Sequence, residues 1–304
     1  MWSLLRQNPW ILASRPKTLP AASAPVIVGT ALALGDGTFR FGPALAALIC
    51  ALLIQIGTNF ANDVFDYQKG TDTQERTGPL RVTQAGLLTP RQVFRGMCLV
   101  FGLAFLIGLY LIAVGGWPIL VIGLLSILSG IAYTGGPYPL GYHGLGDLFV
   151  FIFFGPVAVC GTYYVQALSL TGQAFAASVP MGLLITAILV VNNYRDLPTD
   201  CKAGKRTLAV RLGPAGTRWE YVALLGLSYL VPLSLWLLGP GTPWLLLPLL
   251  TVPLAARLIK DMYTREGAAL NETLAGTGKL VLLYGLCYGV GYVLGSMRVE
   301  LACL

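Results

Sequence analysis

The sequence predicts an all-α, polytopic membrane protein, and three observations lead to that fold class. Apolar residues make up 56% of the 304 residues, whereas charged residues make up only 11%. Soluble domains carry about 25% charged residues, so this chain is far too apolar to be one. The apolar residues are collected in long runs, and the mean hydropathy of the chain is +0.72. These runs lack the period-two alternation of an outer-membrane barrel, so they are expected to cross the bilayer as helices.

Nine apolar runs are predicted to be membrane spans, and together they form a single transmembrane domain over residues 1–304. Several runs are shorter than the ~20 residues of a full crossing, and flanking residues are expected to lengthen them. The first run is interpreted as a retained helix rather than a secretory signal, because its small residues stand at its start and eight runs follow. The predicted spans are 19–34, 44–61, 93–114, 117–133, 148–170, 175–191, 221–238, 244–256 and 280–297.

The basic residues predict the orientation of the chain. If the N-terminus is cytoplasmic, 18 of the 20 lysines and arginines fall on the cytoplasmic side, and Arg40 and Arg298 fall on the other side. This bias is the positive-inside pattern of membrane proteins. The formal net charge of +7 is therefore attributed to topology, and no nucleic-acid partner is expected.

Oxygen-rich side chains follow the second and the sixth predicted spans, in cytoplasmic loops at 62–92 and 192–218. Four spans separate the two groups, so the chain has returned to the same face and the groups can meet at one mouth. Carboxylate and amide oxygens suit Mg²⁺ better than zinc, and Mg²⁺ commonly completes its shell with substrate phosphates. The first group contains Asn59, Asn62, Asp63, Asp66 and Asp72, and the second contains Asn192, Asn193, Asp196 and Asp200.

The sequence resembles the UbiA superfamily of intramembrane aromatic prenyltransferases over nearly its whole length. The resemblance rests on an N-D-x-x-D motif at 62–66, a D-x-x-x-D motif at 196–200, the segment RPKTLPAASAPVIVGTALA from Arg15 and the segment YTGGPYPLGYHGLGD from Tyr133. Within the superfamily, the sequence is most similar to the 1,4-dihydroxy-2-naphthoate prenyltransferases. One departure is Gly70, where the superfamily usually has the last Asp of its first motif. Asp72 follows two residues later, as in the naphthoate subgroup.

The resemblance implies a UbiA-type bundle of nine helices and assigns roles to the loop residues. The residues expected to hold Mg²⁺ are Asn62, Asp66, Asp72, Asp196 and Asp200. Those expected to act in catalysis are Asp63, Asp66, Asp196 and Asp200. Those expected to bind a diphosphate are Lys69, Arg81, Lys202 and Lys205. Those expected to contact the aromatic acceptor are Asn59, Tyr133, Tyr142, His143 and Asn193.

The resemblance also implies a reaction and a location. A prenyl group would pass from a polyprenyl or phytyl diphosphate to 1,4-dihydroxy-2-naphthoate in a Mg²⁺-dependent step. Carbon dioxide and diphosphate would be lost, and the product would be the demethylmenaquinone or demethylphylloquinone precursor. The enzyme would lie in the cell (inner or plasma) membrane, with its active site at the cytoplasmic face.

Two alternatives remain open at this point. The first is a UbiA-family prenyltransferase with another aromatic acceptor, such as 4-hydroxybenzoate or homogentisate. The second is a cation-coupled transporter, because acidic side chains also line ion pathways. The acids of this sequence gather at one face beside bases rather than at the bilayer midplane, which favours an enzyme.

Two smaller expectations concern single residues. Asp147 is expected either to polarise an acceptor hydroxyl or to cap the fifth span. Glycines within the spans, among them Gly102, Gly108, Gly285 and Gly289, are expected to mark close helix packing. The sequence pattern does not specify the chain length of the donor, the arginine that binds the acceptor's carboxylate, or the oligomeric state.

Overall fold

The computed structural model describes residues 8–71, 77–239 and 242–302 of the chain. Within these residues the fold is all-α, as predicted, and contains no strand. Its α-helices are α1 (Pro9–Ser14), α2 (Leu19–Gly35), α3 (Phe41–Gln68), α4 (Pro90–Gly115), α5 (Trp117–Ala132), α6 (Gly146–Ile152), α7 (Ala158–Ala167), α8 (Gly172–Lys202), α9 (Leu208–Leu238), α10 (Val252–Thr264) and α11 (Leu270–Ala302). A π-helical turn, Phe153–Val157, joins α6 to α7, and a 3₁₀-helix, Pro243–Thr251, leads into α10.

Seven helical segments of the described chain are long and apolar enough to cross a membrane. They are Pro9–Gly35, Phe41–Gln68, Pro90–Gly115, Gly146–Ala167, Gly172–Lys202, Leu208–Leu238 and Gly267–Met297. Two of the nine predicted spans are not in this set. The run at 117–133 forms α5, which has 16 residues, and the run at 244–256 is divided between the 3₁₀-helix and α10. Pro243, Pro248 and Pro253 explain that division, because proline lacks the amide hydrogen that a continuous α-helix needs.

The lengths of α3 and α8 place the polar end of the molecule. α3 has 28 residues and α8 has 31. At 1.5 Å per residue α8 is roughly 46 Å long, whereas the hydrocarbon core of a bilayer is about 30 Å thick. The last turns of these helices, which carry Asp66 and Asp200, can therefore extend beyond the apolar layer.

Three groups of buried apolar residues hold the described helices together. The largest group is centred on α8 and joins it to α2, α7, α9, α10 and α11, with Met181, Leu184 and Tyr284 fully buried. The second group joins α1, α3 and α4 around Phe60 and Phe101. The third group joins α2, α3, α4, α5 and α7, and most of its members, among them Val26 and Leu111, line the cavity that contains the candidate site.

Glycine permits close contacts between several helices. A Cβ atom placed on Gly289 of α11 would lie 2.8 Å from α2, and one placed on Gly182 of α8 would lie 2.8 Å from the carbonyl oxygen of Phe151 in α6. The expectation of close packing is thus confirmed for Gly289. It is wrong for Gly102 and Gly108 of α4, because a Cβ at either position would meet no atom of the described residues within 4 Å.

The substitution Gly182→Ala tests this packing. The added methyl group would overlap the backbone of α6, so we expect the variant to lose about 1–3 kcal/mol of folding free energy. Gly226→Ala on α9 is the matched control, because its methyl group would meet open space among the described residues and alanine is the better helix former. Thermal unfolding in detergent should give a lower midpoint for Gly182→Ala alone. Equal midpoints for the two variants would contradict the packing assignment.

Candidate active site

A cavity of about 420 Å³ reaches from the apolar interior to the last turns of α3 and α8. This volume is typical of small-molecule binding sites. Most of the wall is apolar, and the charged side chains of the described wall are gathered at one end. The polar residues at that end include Arg15, Asn59, Asn62, Asp66, Arg81, Asn192, Asn193, Asp196, Asp200 and Lys205.

The ammonium group of Lys205 lies between the two acidic motifs. Its Nζ atom is 3.6 Å from Asp66 Oδ1 and 3.9 Å from Asp200 Oδ1. One carboxylate comes from the end of α3 and the other from the end of α8, so two loops that are distant in sequence face one cation. The structure therefore brings the two predicted acid groups together at one mouth.

Asp66 is the most heavily engaged of these acids. Its side chain is buried, and Arg81 Nη2 donates to its Oδ2 atom at 2.7 Å. The Tyr142 hydroxyl donates to its Oδ1 atom. The Tyr142 ring in turn lies under two ammonium groups, with Lys69 Nζ 5.0 Å and Lys205 Nζ 4.5 Å from its centroid. Such cation–π contacts hold positive charge close to the carboxylate.

Asp63 makes a different kind of contact from Asp66, three residues away in the same helix. Its two carboxylate oxygens accept hydrogen bonds from the backbone amides of Val82 and Thr83, at 3.1 Å each. The side chain is buried, and it does not belong to the cavity wall among the described residues. Asp63 therefore fastens the segment that carries Arg81 over the mouth.

Asp196 is held by its sequence neighbour, Arg195. The guanidinium donates from Nε to Asp196 Oδ1 at 2.8 Å and from Nη2 to Oδ2 at 2.6 Å. It also donates to Asn192 and to Asn271 of α11, at 2.8 Å each. Asn271 then donates to the carbonyl oxygen of Thr77 at 3.0 Å. The sequence analysis did not single out Arg195 or Asn271, because adjacent helical residues do not normally face each other and Asn271 belongs to another loop.

The two asparagines of the first motif also have partners. Asn59 donates to the carbonyl oxygen of Ser14 at 2.9 Å and to Thr18 Oγ1 at 3.1 Å. Asn62 accepts a hydrogen bond from the Thr134 hydroxyl at 3.0 Å. These contacts connect α3 to the segment before α2 and to the loop after α5, so the amides orient the walls of the cavity.

Only some of the residues predicted at the end of α5 and in the loop after it belong to the cavity wall. Tyr133 and Tyr142 line the cavity. His143 does not lie on the described wall: its ring stacks on Tyr138 at 3.6 Å, and its Nδ1 atom is 2.9 Å from the carbonyl oxygen of Pro139. The expected capping role of Asp147 is wrong, because α6 begins after Leu145 and Asp147 lies buried in its first turn.

The remaining predicted bases lie at the rim. Lys69 Nζ donates to the carbonyl oxygens of Thr134 and Gly136, at 2.7 and 3.2 Å. Burial lowers the pKa of this ammonium, Asp66 raises it and Lys205 lowers it, with a net fall from the ordinary lysine value. Lys202 is exposed. The predicted ligand Asp72 lies outside the described residues.

Arg15 is a cavity residue that the sequence analysis did not assign to the site. It lines the same cavity as Asp66, and its backbone is in the left-handed region at φ 51°. A residue with a side chain rarely adopts this conformation, and such residues cluster at functional sites. The left-handed backbone angle depends on the tertiary structure, so the sequence did not predict it. Only the positive charge of Arg15 could have indicated a role at the site.

Comparison with known proteins places this arrangement in a family. The chain matches the model of the UbiA prenyltransferase family over residues 22–294. It is 40% identical over 289 residues to a 1,4-dihydroxy-2-naphthoate octaprenyltransferase of Mycobacterium tuberculosis, covering 95% of this chain and 98% of that relative. It is 41% identical over 299 residues to the protein of the same name from Escherichia coli, covering 96% and 97%.

The fold is also shared with a solved structure. A UbiA homolog from Archaeoglobus fulgidus, bound to DMAPP and Mg²⁺, superimposes with a TM-score of 0.67 at 15% identity, and the match covers 94% of this chain and 99% of that one. At this identity, the likeness concerns the fold alone. The family match and the identity to the two bacterial relatives are sufficient for the assignment: the chain belongs to the UbiA prenyltransferase family.

Proposed function

We propose that this protein transfers a prenyl group from a polyprenyl diphosphate to 1,4-dihydroxy-2-naphthoate, releasing diphosphate and carbon dioxide. One observation carries the proposal: Asp66 and Asp200 face a single cation at the polar end of an otherwise apolar cavity. A lipid with a charged head group matches such a cavity, with its head at the mouth and its tail inside. The names of the two bacterial relatives supply the acceptor.

No group of three acidic, histidine or cysteine side chains among the described residues stands close enough to form a metal site by itself, so we propose that Mg²⁺ binds the oxygen donors at the mouth together with substrate phosphate. Lys205 Nζ already lies within 4 Å of both Asp66 and Asp200, so the two carboxylates can share one positive charge. Hard oxygen ligands and few protein contacts are typical of Mg²⁺ sites that are completed by substrate phosphate. Asn62 and Asp196 complete the proposed set, and Asp72 stays a predicted member of it. When bound, the metal would offset the charge that builds on the departing diphosphate.

The basic residues at the mouth are proposed to bind the diphosphate. Arg81 and Lys205 reach the acidic cluster from two different loops, and Lys69 and Lys202 stand at the rim. The allylic C–O bond then breaks and its electron pair leaves with the diphosphate. Preorganised cations around the leaving group lower the barrier to this step. The apolar wall keeps water away from the carbon that is left electron-poor.

The acceptor ring is proposed to lie beside Tyr133, Tyr142 and Asn193, with its carboxylate on Arg15. Arg15 lines the same cavity as these three residues, and Arg81, the other arginine of the described wall, is proposed to bind the diphosphate. The ring carbon that bears the carboxylate forms the new C–C bond, and loss of carbon dioxide restores the aromatic system. Asp63 is proposed to act indirectly, by fixing the segment that carries Arg81.

The proposal extends to topology. The seven long helices make the protein an integral membrane protein, and we propose that α5 and the segment formed by the 3₁₀-helix and α10 also cross. Nine crossings with a cytoplasmic N-terminus would put the site at the cytoplasmic face of the cell membrane, as the distribution of basic residues suggests.

Asp66→Asn and Asp200→Asn test the head-group site. With purified protein, Mg²⁺, octaprenyl diphosphate and 1,4-dihydroxy-2-naphthoate, mass spectrometry should find a prenylated naphthalenediol that lacks the carboxyl group. Each variant should lower kcat/KM by about 100-fold or more, because it removes a proposed ligand of the Mg²⁺ that would offset the charge on the leaving group. Chelation of Mg²⁺ should abolish the product. Asp261→Asn is the control, since that acid pairs with Arg265 away from the cavity. Full activity in both site variants would refute the assignment.

Arg15→Lys tests the acceptor contact. The variant keeps the positive charge but loses the two-pronged guanidinium, so the KM for the naphthoate should rise by about tenfold while the KM for the donor stays the same. 1,4-Naphthalenediol, which has no carboxylate, serves as a competitive inhibitor whose Ki should not change. An equal loss of affinity for the naphthoate and the naphthalenediol would show that Arg15 does not read the carboxylate.

A further inference from the structure

Arg195 lies behind two side chains that face the cavity. Asn192 and Asp196 line the cavity, whereas Arg195 does not belong to the described wall and is only 2% exposed. All three nitrogen atoms of its guanidinium donate hydrogen bonds: Nε and Nη2 to Asp196, Nη2 also to Asn192, and Nη1 to Asn271. The orientation of Asn192 and Asp196 is therefore set from the side that faces away from the cavity.

The contact between Arg195 and Asp196 is two-pronged. One nitrogen reaches each carboxylate oxygen, at 2.8 and 2.6 Å. Paired contacts of this kind fix the plane of a carboxylate as well as its position. Carboxylates that bind metal ions are commonly held by such outer hydrogen bonds, and removing the outer partner typically weakens metal affinity or activity about 10- to 100-fold. Arg195 therefore has the geometry of a group that orients Asp196 for a cation.

Asn271 connects Arg195 to the loop that follows α3. Its Oδ1 atom accepts from Arg195 Nη1 at 2.8 Å, and its Nδ2 atom donates to the carbonyl oxygen of Thr77 at 3.0 Å. The Thr77 hydroxyl in turn donates to Asp196 Oδ1 in a long hydrogen bond of 3.4 Å. These contacts close a circuit of hydrogen bonds. We call Thr77, Arg195, Asp196 and Asn271 the Asn271 network.

The Asn271 network holds one end of the segment that carries Arg81. Thr77 stands four residues before Arg81, and Arg81 binds Asp66 at 2.7 Å. Just beyond Arg81, two backbone amides of the same segment donate to Asp63. The segment is therefore fastened on both sides of Arg81, by α3 through Asp63 and by α11 through Asn271.

The position of Asn271 itself is fixed by the apolar core. α11 begins at Leu270, the preceding residue. Leu270 and Leu274 are both buried in the group of apolar residues centred on α8. A side chain on the first turn of an anchored helix holds its partners more precisely than a side chain on a loop. Asn271 is therefore a rigid support for two different parts of the mouth.

We propose that Arg195 and Asn271 are positioning residues of the Mg²⁺–diphosphate site. Arg195 orients Asp196, and Asn271 sets the spacing between Asp196 and Arg81. The inference rests on the proposed function, which places the metal and the diphosphate at these side chains. Neither positioning residue belongs to the described cavity wall, so both act through their partners. A spacing that is set before the substrate arrives lowers the entropy cost of assembling the site.

Asn271→Asp and Asn271→Leu separate the two parts of this role. An ionised aspartate keeps an acceptor for Arg195 but has no hydrogen to donate to Thr77. The leucine variant, which is similar in size, loses both contacts. Mn²⁺ binding is measured by electron paramagnetic resonance with saturating inorganic pyrophosphate. The KM is measured for octaprenyl diphosphate and for the naphthoate, and the unfolding midpoint is recorded for each variant.

We expect the Kd for Mn²⁺ to rise about tenfold or more in Asn271→Leu, because Arg195 loses its support. The Kd should stay near the wild-type value in Asn271→Asp. In both variants the KM for octaprenyl diphosphate should rise about fivefold, the effect of one lost hydrogen bond, while the KM for the naphthoate stays the same. Glu272→Gln is the matched control, because this neighbour pairs with Arg265 at the surface. It should equal the wild type in every measurement.

The outcomes separate this inference from the proposed function. Unchanged Mn²⁺ affinity and donor KM in both variants would overturn the positioning role and leave the proposed function standing. An equal rise in KM for the donor and the naphthoate, beside a lower unfolding midpoint, would also overturn it, because a general structural defect affects both substrates. A wild-type protein that binds no Mn²⁺ with pyrophosphate and forms no product would reject the proposed function, and this inference with it.

A measurement on the wild-type protein does not depend on whether the variants fold. Hydrogen–deuterium exchange of the backbone amides in residues 77–83 is followed in detergent, first without ligand and then with Mg²⁺ and inorganic pyrophosphate. Slow exchange is expected in both states, because the Asn271 network and Asp63 hold the segment before ligand binds. Rapid exchange that becomes slow only after the ligand is added would overturn the proposal, since the ligand would then set the spacing.

Discussion

The burial of one carboxylate, that of Asp66, governs the polar end of the molecule. An unpaired carboxylate in apolar surroundings costs several kcal/mol, so it must be surrounded by donors and cations. Arg81 comes from the loop after α3, Tyr142 from the loop after α5 and Lys205 from the loop after α8. Satisfying this single charge therefore draws three loops to the same point. The mouth of the cavity is the consequence.

The other charged side chains at the mouth also hold the loops together. Asp63 fixes the backbone that carries Arg81, and Arg195 ties Asp196 to Asn271 of α11. Breaking a buried pair by removing one partner typically costs about 3–5 kcal/mol. Of the two acids in the first motif, Asp63 thus holds a loop and Asp66 faces the cavity. A loss of activity on substitution is informative about chemistry only when folding is measured beside it.

The sequence predicted the features that depend on its composition and on the number of spans between two motifs. It did not predict the features that depend on neighbours in the tertiary structure. The even number of spans between Asp66 and Asp200 predicted that they meet, and the low charge predicted the helical membrane fold. The spacing of Asp63 and Asp66 placed both on one helix face. It did not predict that the backbone amides of Val82 and Thr83 bind Asp63 and turn it away from the cavity. The glycines of α4 could not be interpreted from the sequence either, since packing glycines and cavity glycines look alike until their neighbours are known. The number of apolar residues predicted a continuous span at 244–256, whereas the prolines at 243, 248 and 253 divide it between a 3₁₀-helix and α10.

A largely apolar cavity inside a membrane protein limits what a long tail contributes to binding. Lipid chains are as apolar as leucine, so moving a methylene group from the bilayer into this cavity gains little of the ~0.8 kcal/mol that it would gain from water. Donors of different lengths therefore owe most of their affinity to the diphosphate, which all of them share. Discrimination by length must then come from the shape of the cavity. The concentrated charge at the mouth supplies the binding energy that the tail does not.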